Sequence, residues 1–273
     1  MAIRVDRKKV LGYAIGPIGA AILSLVSLPI ITWFYSVEDV GRISMLQVVA
    51  SLSVLFFCLG LDQAYVREYH ETNKKAELFK NTIFPGAVLS LILLYSESSY
   101  YLSVVSIVCF VLSLISRFLS LILRMEERAL AYSMSQLLPK LFFLCFVLST
   151  VWLGFSANAY NLITAHAFSI VSAFLVFSWT TRKAWLSAIR QKVSWVEQKR
   201  LLQFGLPLVL GGLASWGLNV MDKLFLRSMS TFEELGIYSV TVSIAGVAII
   251  FSGVFNTIWF ISGKAREMLM LIE

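Results

Sequence analysis

Four charged residues lie inside long apolar blocks of this sequence, where a charged side chain needs a physical reason. Lys140 follows Pro139 near the middle of one block, and Arg117 lies nearer to the end of another. Asp222 and Lys223 are adjacent in a third block. A charge near the centre of a bilayer costs at least about 2.5–3.5 kcal/mol. Lys140 therefore either pairs with a buried group or lines a hydrated cavity that attracts an anion such as a pyrophosphate or an acidic sugar.

The other three residues have alternatives of their own. Arg117 either reaches the membrane surface or pairs with Glu126 or Glu127, or it lines the same kind of cavity. Asp222 and Lys223 point about 100° apart on a helix, so a direct ion pair between them is not expected. His166 either packs in a hydrogen-bonded setting or relays protons.

Composition indicates that these residues belong to a membrane protein. Of 273 residues, 58% are hydrophobic and 14% are charged, whereas a soluble domain has about 25% charged residues. The net charge of +7 would suit nucleic acid in a soluble protein, but its distribution fits membrane topology instead. We expect no nucleic-acid partner, no metal and no cofactor.

The apolar residues form eight blocks long enough to cross a bilayer. They are Val10–Phe34, Ile43–Leu61, Asn81–Ser96, Tyr100–Leu123, Leu130–Leu153, Ala159–Thr180, Leu202–Leu226 and Leu235–Ser262. In hydrocarbon each backbone amide must be bonded internally, and these blocks are too long and uniform for barrel strands. The sequence thus predicts an all-α membrane protein with eight transmembrane helices.

The positive charges fall almost entirely on one side of this predicted topology. Of 23 Lys and Arg residues, Arg42 and Arg227 lie in outer segments, three lie within spans, and the rest lie in inner segments. Cytoplasmic loops carry such an excess. The distribution predicts a multi-pass protein of the bacterial inner membrane with both termini in the cytoplasm.

Two segments of the sequence resemble each other. Ser36–Ser44 (SVEDVGRIS) has a counterpart in Thr231–Ser239 (TFEELGIYS), and each follows a span that contains Gly and Pro. The acidic pair suits the opening of a helix. Six spans separate the copies, so both point the same way across the membrane, as in transporters with two parallel lobes.

This repeat predicts a division of the chain into four parts. Residues 1–180 form a complete six-helix lobe, 181–200 a basic cytoplasmic linker, 201–262 the first two helices of a second lobe, and 263–273 a short tail. Trp185, Leu186, Ile189, Val193 and Val196 follow helical spacing in the linker. We expect an amphipathic helix on anionic lipid, a hinge between lobes, or both.

The sequence also resembles a known family, the polysaccharide exporters of the multidrug/oligosaccharidyl-lipid/polysaccharide (MOP) superfamily, and most closely the O-antigen (Wzx-type) flippases. In the first lobe the resemblance rests on Ser36–Gly41 (SVEDVG) and Gly60–Tyr69 (GLDQAYVREY). In the second it rests on Phe204–Pro207 (FGLP), Asp222–Leu226 (DKLFL), Leu235–Ser239 (LGIYS) and Phe255–Trp259 (FNTIW). Because family members have two six-helix lobes, the resemblance implies that this chain is truncated after Trp259.

The resemblance implies a flippase that moves undecaprenyl-pyrophosphate-linked oligosaccharide, an O-antigen or capsule repeat unit, across the inner membrane by alternating access. Lys140, Arg117, Lys223 and Asp222 are the expected substrate-binding residues, and membrane lipid and a coupling ion (H⁺ or Na⁺) are the expected partners. The sequence contains no GxxxxGK[ST] motif, which favours a gradient as the energy source.

Three alternatives remain open at this point. The chain is an inactive remnant, or an antiporter of the same superfamily, which would need intramembrane carboxylates such as Asp222. A membrane enzyme such as an O-antigen polymerase would need a cluster of catalytic side chains in a sizeable loop, so we expect that the protein is not an enzyme.

Overall fold

All regular structure in the described residues, 7–96 and 101–246 of the computed structural model, is helical. Ten helices occur there: α1 (Arg7–Phe34), α2 (Val37–Cys58), α3 (Leu61–Glu68), α4 (Lys75–Ser96), α5 (Tyr101–Met125), α6 (Ala129–Trp152), α7 (Ala159–Thr180), α8 (Arg182–Ile189), α9 (Trp195–Met229) and α10 (232–246). The predicted all-α class is confirmed over these residues.

Within the residues that the structure describes, six helical segments are long and apolar enough to cross a membrane. They are Gly12–Phe34, Val37–Cys58, Val108–Met125, Ala129–Trp152, Ala159–Thr180 and Trp195–Met229. The predicted span Asn81–Ser96 falls in α4 and extends beyond the residues whose side chains the structure describes. The predicted span Leu235–Ser262 begins in α10 and continues outside the described residues. The predicted tail at 263–273 and the motif at Phe255–Trp259 lie entirely outside them. The count of eight spans stays a prediction.

Helix α2 begins six residues earlier than the apolar block alone predicted. Ser36 caps it, with its Oγ accepting a hydrogen bond from the backbone N–H of Asp39 at 3.1 Å. Glu38 and Asp39 occupy the first turn, where the helix dipole interacts favourably with negative charge and the helix is stabilised. The acidic pair thus opens a helix, as the repeat predicted, and hydropathy missed the start because the first turn is polar.

A short helix follows α2 where the sequence predicted only the end of a span. Leu59 and Gly60 adopt left-handed backbone conformations with φ of 50° and 68°, which ends α2 and starts α3. The backbone of Gly60 lies so close to the Gly205 carbonyl of α9 that any Cβ there would overlap it. Gly60 therefore allows both the break between α2 and α3 and the close contact with α9.

Gly12 and Gly16 stand four residues apart in α1, a GxxxG pattern that predicts close helix packing, and α1 packs closely on α6 along them. A Cβ on Gly12 would lie 3.0 Å from the Ala129 Cβ, and one on Gly16 would lie 2.6 Å from the Ser133 Cα. Ser133 also donates a hydrogen bond to the Gly12 carbonyl. The GxxxG pattern serves close helix packing, as small residues do in membrane helices.

The predicted basic linker contains the short helix α8, and hydrogen bonds join this segment to α4. Lys80 donates hydrogen bonds to the backbone carbonyls of Ile189 at 2.7 Å and Gln191 at 2.5 Å, and the side-chain Oδ1 of Asn81 accepts from the Ser194 N–H at 3.0 Å. Trp185 packs against the core, whereas Leu186 is exposed. The predicted apolar face is thus divided between core and surface, and α9 already begins at Trp195 within the predicted linker.

Candidate functional site

A cavity of about 170 Å³ brings together two of the four predicted site residues. Lys140 from α6 and Lys223 from α9 both line it, with walls from α1, α2 and α10. Polar lining residues are Ser24, Ser27, Ser44, Gln47, Ser239 and Ser243. We refer to it below as the two-lysine cavity.

Lys140 is held by a hydroxyl group. Its Nζ donates a hydrogen bond to the Oγ of Ser24 on α1, and that hydroxyl also donates to the Ala20 carbonyl at 2.9 Å. Lys140 forms no ion pair with any carboxylate among residues 7–96 and 101–246. Its charge is therefore solvated by a neutral group and left available to an anion.

Lys223 joins three helices through two buried serines. Its Nζ donates to the Ser44 Oγ of α2 at 3.0 Å, and the Ser44 and Ser239 hydroxyls lie 2.8 Å apart. Both serines are buried. Lys223, like Lys140, has no acidic partner in the described part of the chain, so this network links α9, α2 and α10 without cancelling its charge.

The two-lysine cavity has the chemistry of an anion site. Two ammonium groups face a small space whose described lining contains no carboxylate. Low-dielectric walls strengthen the field of such charges on any anion that enters. Hydroxyl groups and the Gln47 amide add hydrogen-bond donors suited to phosphate or sugar oxygens.

Helices α2 and α10 cross beside this cavity through reciprocal contacts. A Cβ on Gly41 would overlap the Phe232 carbonyl, and a Cβ on Gly236 would overlap the Val37 carbonyl. One turn further along, the hydroxyl of Ser44 meets that of Ser239. These are corresponding positions of the two sequence copies, so the copies meet each other by equivalent residues.

Arg117 and Asp222 lie apart from the two-lysine cavity. Arg117 forms an ion pair with Asp62 at 3.2 Å, and both line a separate cavity of about 400 Å³. The partner of Arg117 is thus Asp62 and neither Glu126 nor Glu127. The Asp222 carboxylate accepts a hydrogen bond from the Tyr238 hydroxyl at 2.8 Å on an exposed surface.

His166 packs edge-on against Phe143, with ring centroids 5.4 Å apart. Its buried Nδ1 has no hydrogen-bond partner in the described structure. His166 therefore packs against its neighbours as expected, but within the described residues its Nδ1 lacks the hydrogen bond that was also expected.

Sequence reasoning missed the serines of the two-lysine cavity. Ser24 and Ser27 stand one turn apart in an otherwise apolar stretch of α1, which is a helical polar signal. Ser44 and Ser239 are the last residues of the two copies of the repeat. The sequence therefore showed that they correspond, but it did not show that they contact each other.

The apolar helices and the positive cavity between them define a multi-pass membrane protein with an internal polar site. Residues 7–260 match the model of the polysaccharide biosynthesis protein family, and the chain belongs to that family. No curated protein and no solved structure matches the chain.

Proposed function

We propose that this protein is a flippase for undecaprenyl-pyrophosphate-linked oligosaccharide, an O-antigen or capsule repeat unit, in the bacterial inner membrane. The observation that carries the proposal is the meeting of Lys140 and Lys223 in one serine-lined cavity between apolar helices. Membership of the polysaccharide biosynthesis family supports it.

The physical task of such a protein is to move a charged, hydrated head group across hydrocarbon. A pyrophosphate cannot shed its water in lipid without a large free-energy cost. Fixed ammonium and hydroxyl groups replace part of that hydration, while the prenyl tail stays in the lipid. In this proposal Lys140 and Lys223 contact the pyrophosphate, and Ser24 and Ser44 orient the two ammonium groups.

Alternating access requires that contacts on one side of the cavity open and close. The reciprocal crossing of α2 and α10 supports this mechanism because it joins the two sequence copies beside the cavity. We propose that this crossing is the closed outer side and that both termini are cytoplasmic. An H⁺ or Na⁺ gradient would drive the cycle, and the protein would catalyse no covalent reaction.

Arg117 and Asp222 have different places in the proposal. Arg117, paired with Asp62, lies on the wall of a second cavity through which the head group would pass. Asp222 lies outside both cavities, next to Tyr238, so its contact with substrate would come only in another state of the cycle.

Replacing Lys140 by Ala tests the proposal. Loss of a charge-assisted hydrogen bond costs about 1.5–3 kcal/mol, so we expect surface polysaccharide to fall by about tenfold or more. Surface polysaccharide is measured in a host that depends on this protein, with membrane protein levels measured in parallel. Lys199→Ala removes the same charge from an exposed position and should have no effect. Normal polysaccharide with Lys140→Ala would remove this residue from the mechanism.

A further inference from the structure

Another polar cavity, lined by neither Lys140 nor Lys223, lies where α5 and α7 end and α6 and α8 begin. It has a volume of about 390 Å³ and is enclosed by the turn between α5 and α6, the end of α7 and the start of α8. Its charged and aromatic lining side chains are those of Glu126, Arg128, Trp179, Arg182 and Lys183. We refer to it below as the α8 cavity.

The charges of the α8 cavity are mostly unneutralised. Its described lining carries three cationic side chains and one carboxylate, that of Glu126. Arg128 shares its guanidinium between the Thr180 carbonyl at 3.2 Å and Glu126 at 3.5 Å. The exposed Lys183 ammonium forms no hydrogen bond or ion pair in the described structure, so its charge is not neutralised there.

Arg182 and Trp179 form the rim of the α8 cavity. The Arg182 guanidinium lies 4.4 Å from the centre of the Trp179 ring, and Trp179 is 72% exposed. Stacking holds the guanidinium plane in place and leaves its N–H groups free. Exposed tryptophan at the end of an apolar helix is typical of the membrane–water interface.

The position of the α8 cavity matches the level of lipid head groups. Candidate spans end at Met125 and Thr180, and another begins at Ala129, so three spans meet the interface at this cavity. This is also the side on which the sequence concentrates Lys and Arg, and anionic lipids of the inner leaflet attract such clusters. Guanidinium and ammonium groups are the usual ligands of phosphate.

We propose that the α8 cavity binds the phosphate of a membrane lipid, through Arg128, Arg182 and Lys183, and seats α8 on the membrane. Either an anionic phospholipid or a prenyl-linked pyrophosphate supplies this chemistry. The site is separate from the two-lysine cavity, and lipid binding here does not depend on whether the protein transports anything.

The test is lipid affinity of the full-length protein purified in neutral detergent. The probes are dioctanoyl phosphatidylglycerol, dioctanoyl phosphatidylcholine, farnesyl pyrophosphate and inorganic phosphate. The variant Arg182→Gln/Lys183→Gln is compared with Arg190→Gln/Lys199→Gln, which removes the same two charges from exposed positions outside the cavity.

We expect Arg182→Gln/Lys183→Gln to weaken phosphatidylglycerol binding about tenfold, because two charges near the membrane surface are lost, while the matched control changes it by less than about twofold. Tighter binding of farnesyl pyrophosphate, lost in the same variant, would identify the prenyl carrier as the ligand. Stronger binding of phosphatidylglycerol would identify the phospholipid.

Three results would overturn the proposal. These are equal weakening by both double variants, no weakening by either, and inorganic phosphate binding as tightly as the lipids. If the double variant does not fold, Lys183→Gln against Lys199→Gln gives the same comparison, because neither ammonium group forms a hydrogen bond or ion pair with another described residue.

Discussion

Charged side chains within the helices of this protein differ in whether a carboxylate neutralises them. Arg117 is paired with Asp62, whereas Lys140 and Lys223 are held only by serine hydroxyls. A paired charge has little field left for a ligand, and an unpaired one retains it. We infer that Arg117 serves mainly to join α5 to α3, while the two lysines serve binding.

Exchanging the charges of Arg117 and Asp62 tests the structural part of this inference. Arg117→Asp places two carboxylates together, and we expect a loss of about 1 kcal/mol of stability because the arginine is half-exposed. Asp62→Arg should act similarly, and the combined exchange should restore most of the loss. The measurement is the midpoint temperature of thermal unfolding in detergent. If the combined exchange unfolds at a temperature no higher than either single variant, the inference is contradicted.

Glycine spacing decides how closely helices approach in this fold. Gly41 and Gly236 let α2 and α10 touch along their backbones, whereas a Cβ on Gly211 of α9 would have no described atom within 4 Å apart from those of its own helical turn. The same residue type therefore serves contact at one position and has no steric role at the other.

Gly41→Ala should destabilise the crossing of α2 and α10. Its new methyl group would overlap the backbone of Phe232, which cannot move like a side chain, and overpacking costs about 1–3 kcal/mol. Gly211→Ala is the matched control and should be neutral or stabilising, since Ala favours helix by about 1 kcal/mol. Thermal midpoints of both variants decide this. Equal midpoints would show that the helices separate at no cost.

The two copies of the repeated segment contact each other through corresponding residues, although they are far apart in the sequence. The Ser44 and Ser239 hydroxyls are 2.8 Å apart and complete a contact that the two glycines begin. If the protein works by alternating access, this contact must break in each transport cycle.

A disulfide between Ser44→Cys and Ser239→Cys should therefore stop transport reversibly. Oxidation would join α2 to α10, surface polysaccharide or flipping in vesicles should fall at least tenfold, and reductant should restore it. Each single cysteine variant controls for loss of the hydroxyl. Full transport by the oxidised double variant would rule out opening at this crossing.

Local features of this protein were predictable from the residues. Long apolar blocks become helices because lipid offers no partner for backbone N–H and C=O groups. Ser36 with its acidic turn opens α2, and Gly12 with Gly16 packs α1 on α6, because caps and small-residue spacing act within a few residues of chain. The apolar block by itself placed the start of α2 too late and did not show the break at Leu59, because hydropathy does not register polar turns or left-handed conformations.

Only the tertiary structure decided which charged residues share a site. Lys140 and Lys223 were each notable in the sequence, but nothing there placed both side chains in one cavity or supplied Ser24 and Ser44 as their partners. Arg117 was equally notable and lies in a different cavity with Asp62. Hydrophobicity and backbone bonding are properties of one segment, whereas a cavity is bounded by helices far apart in the chain, and its lining depends on how those helices pack.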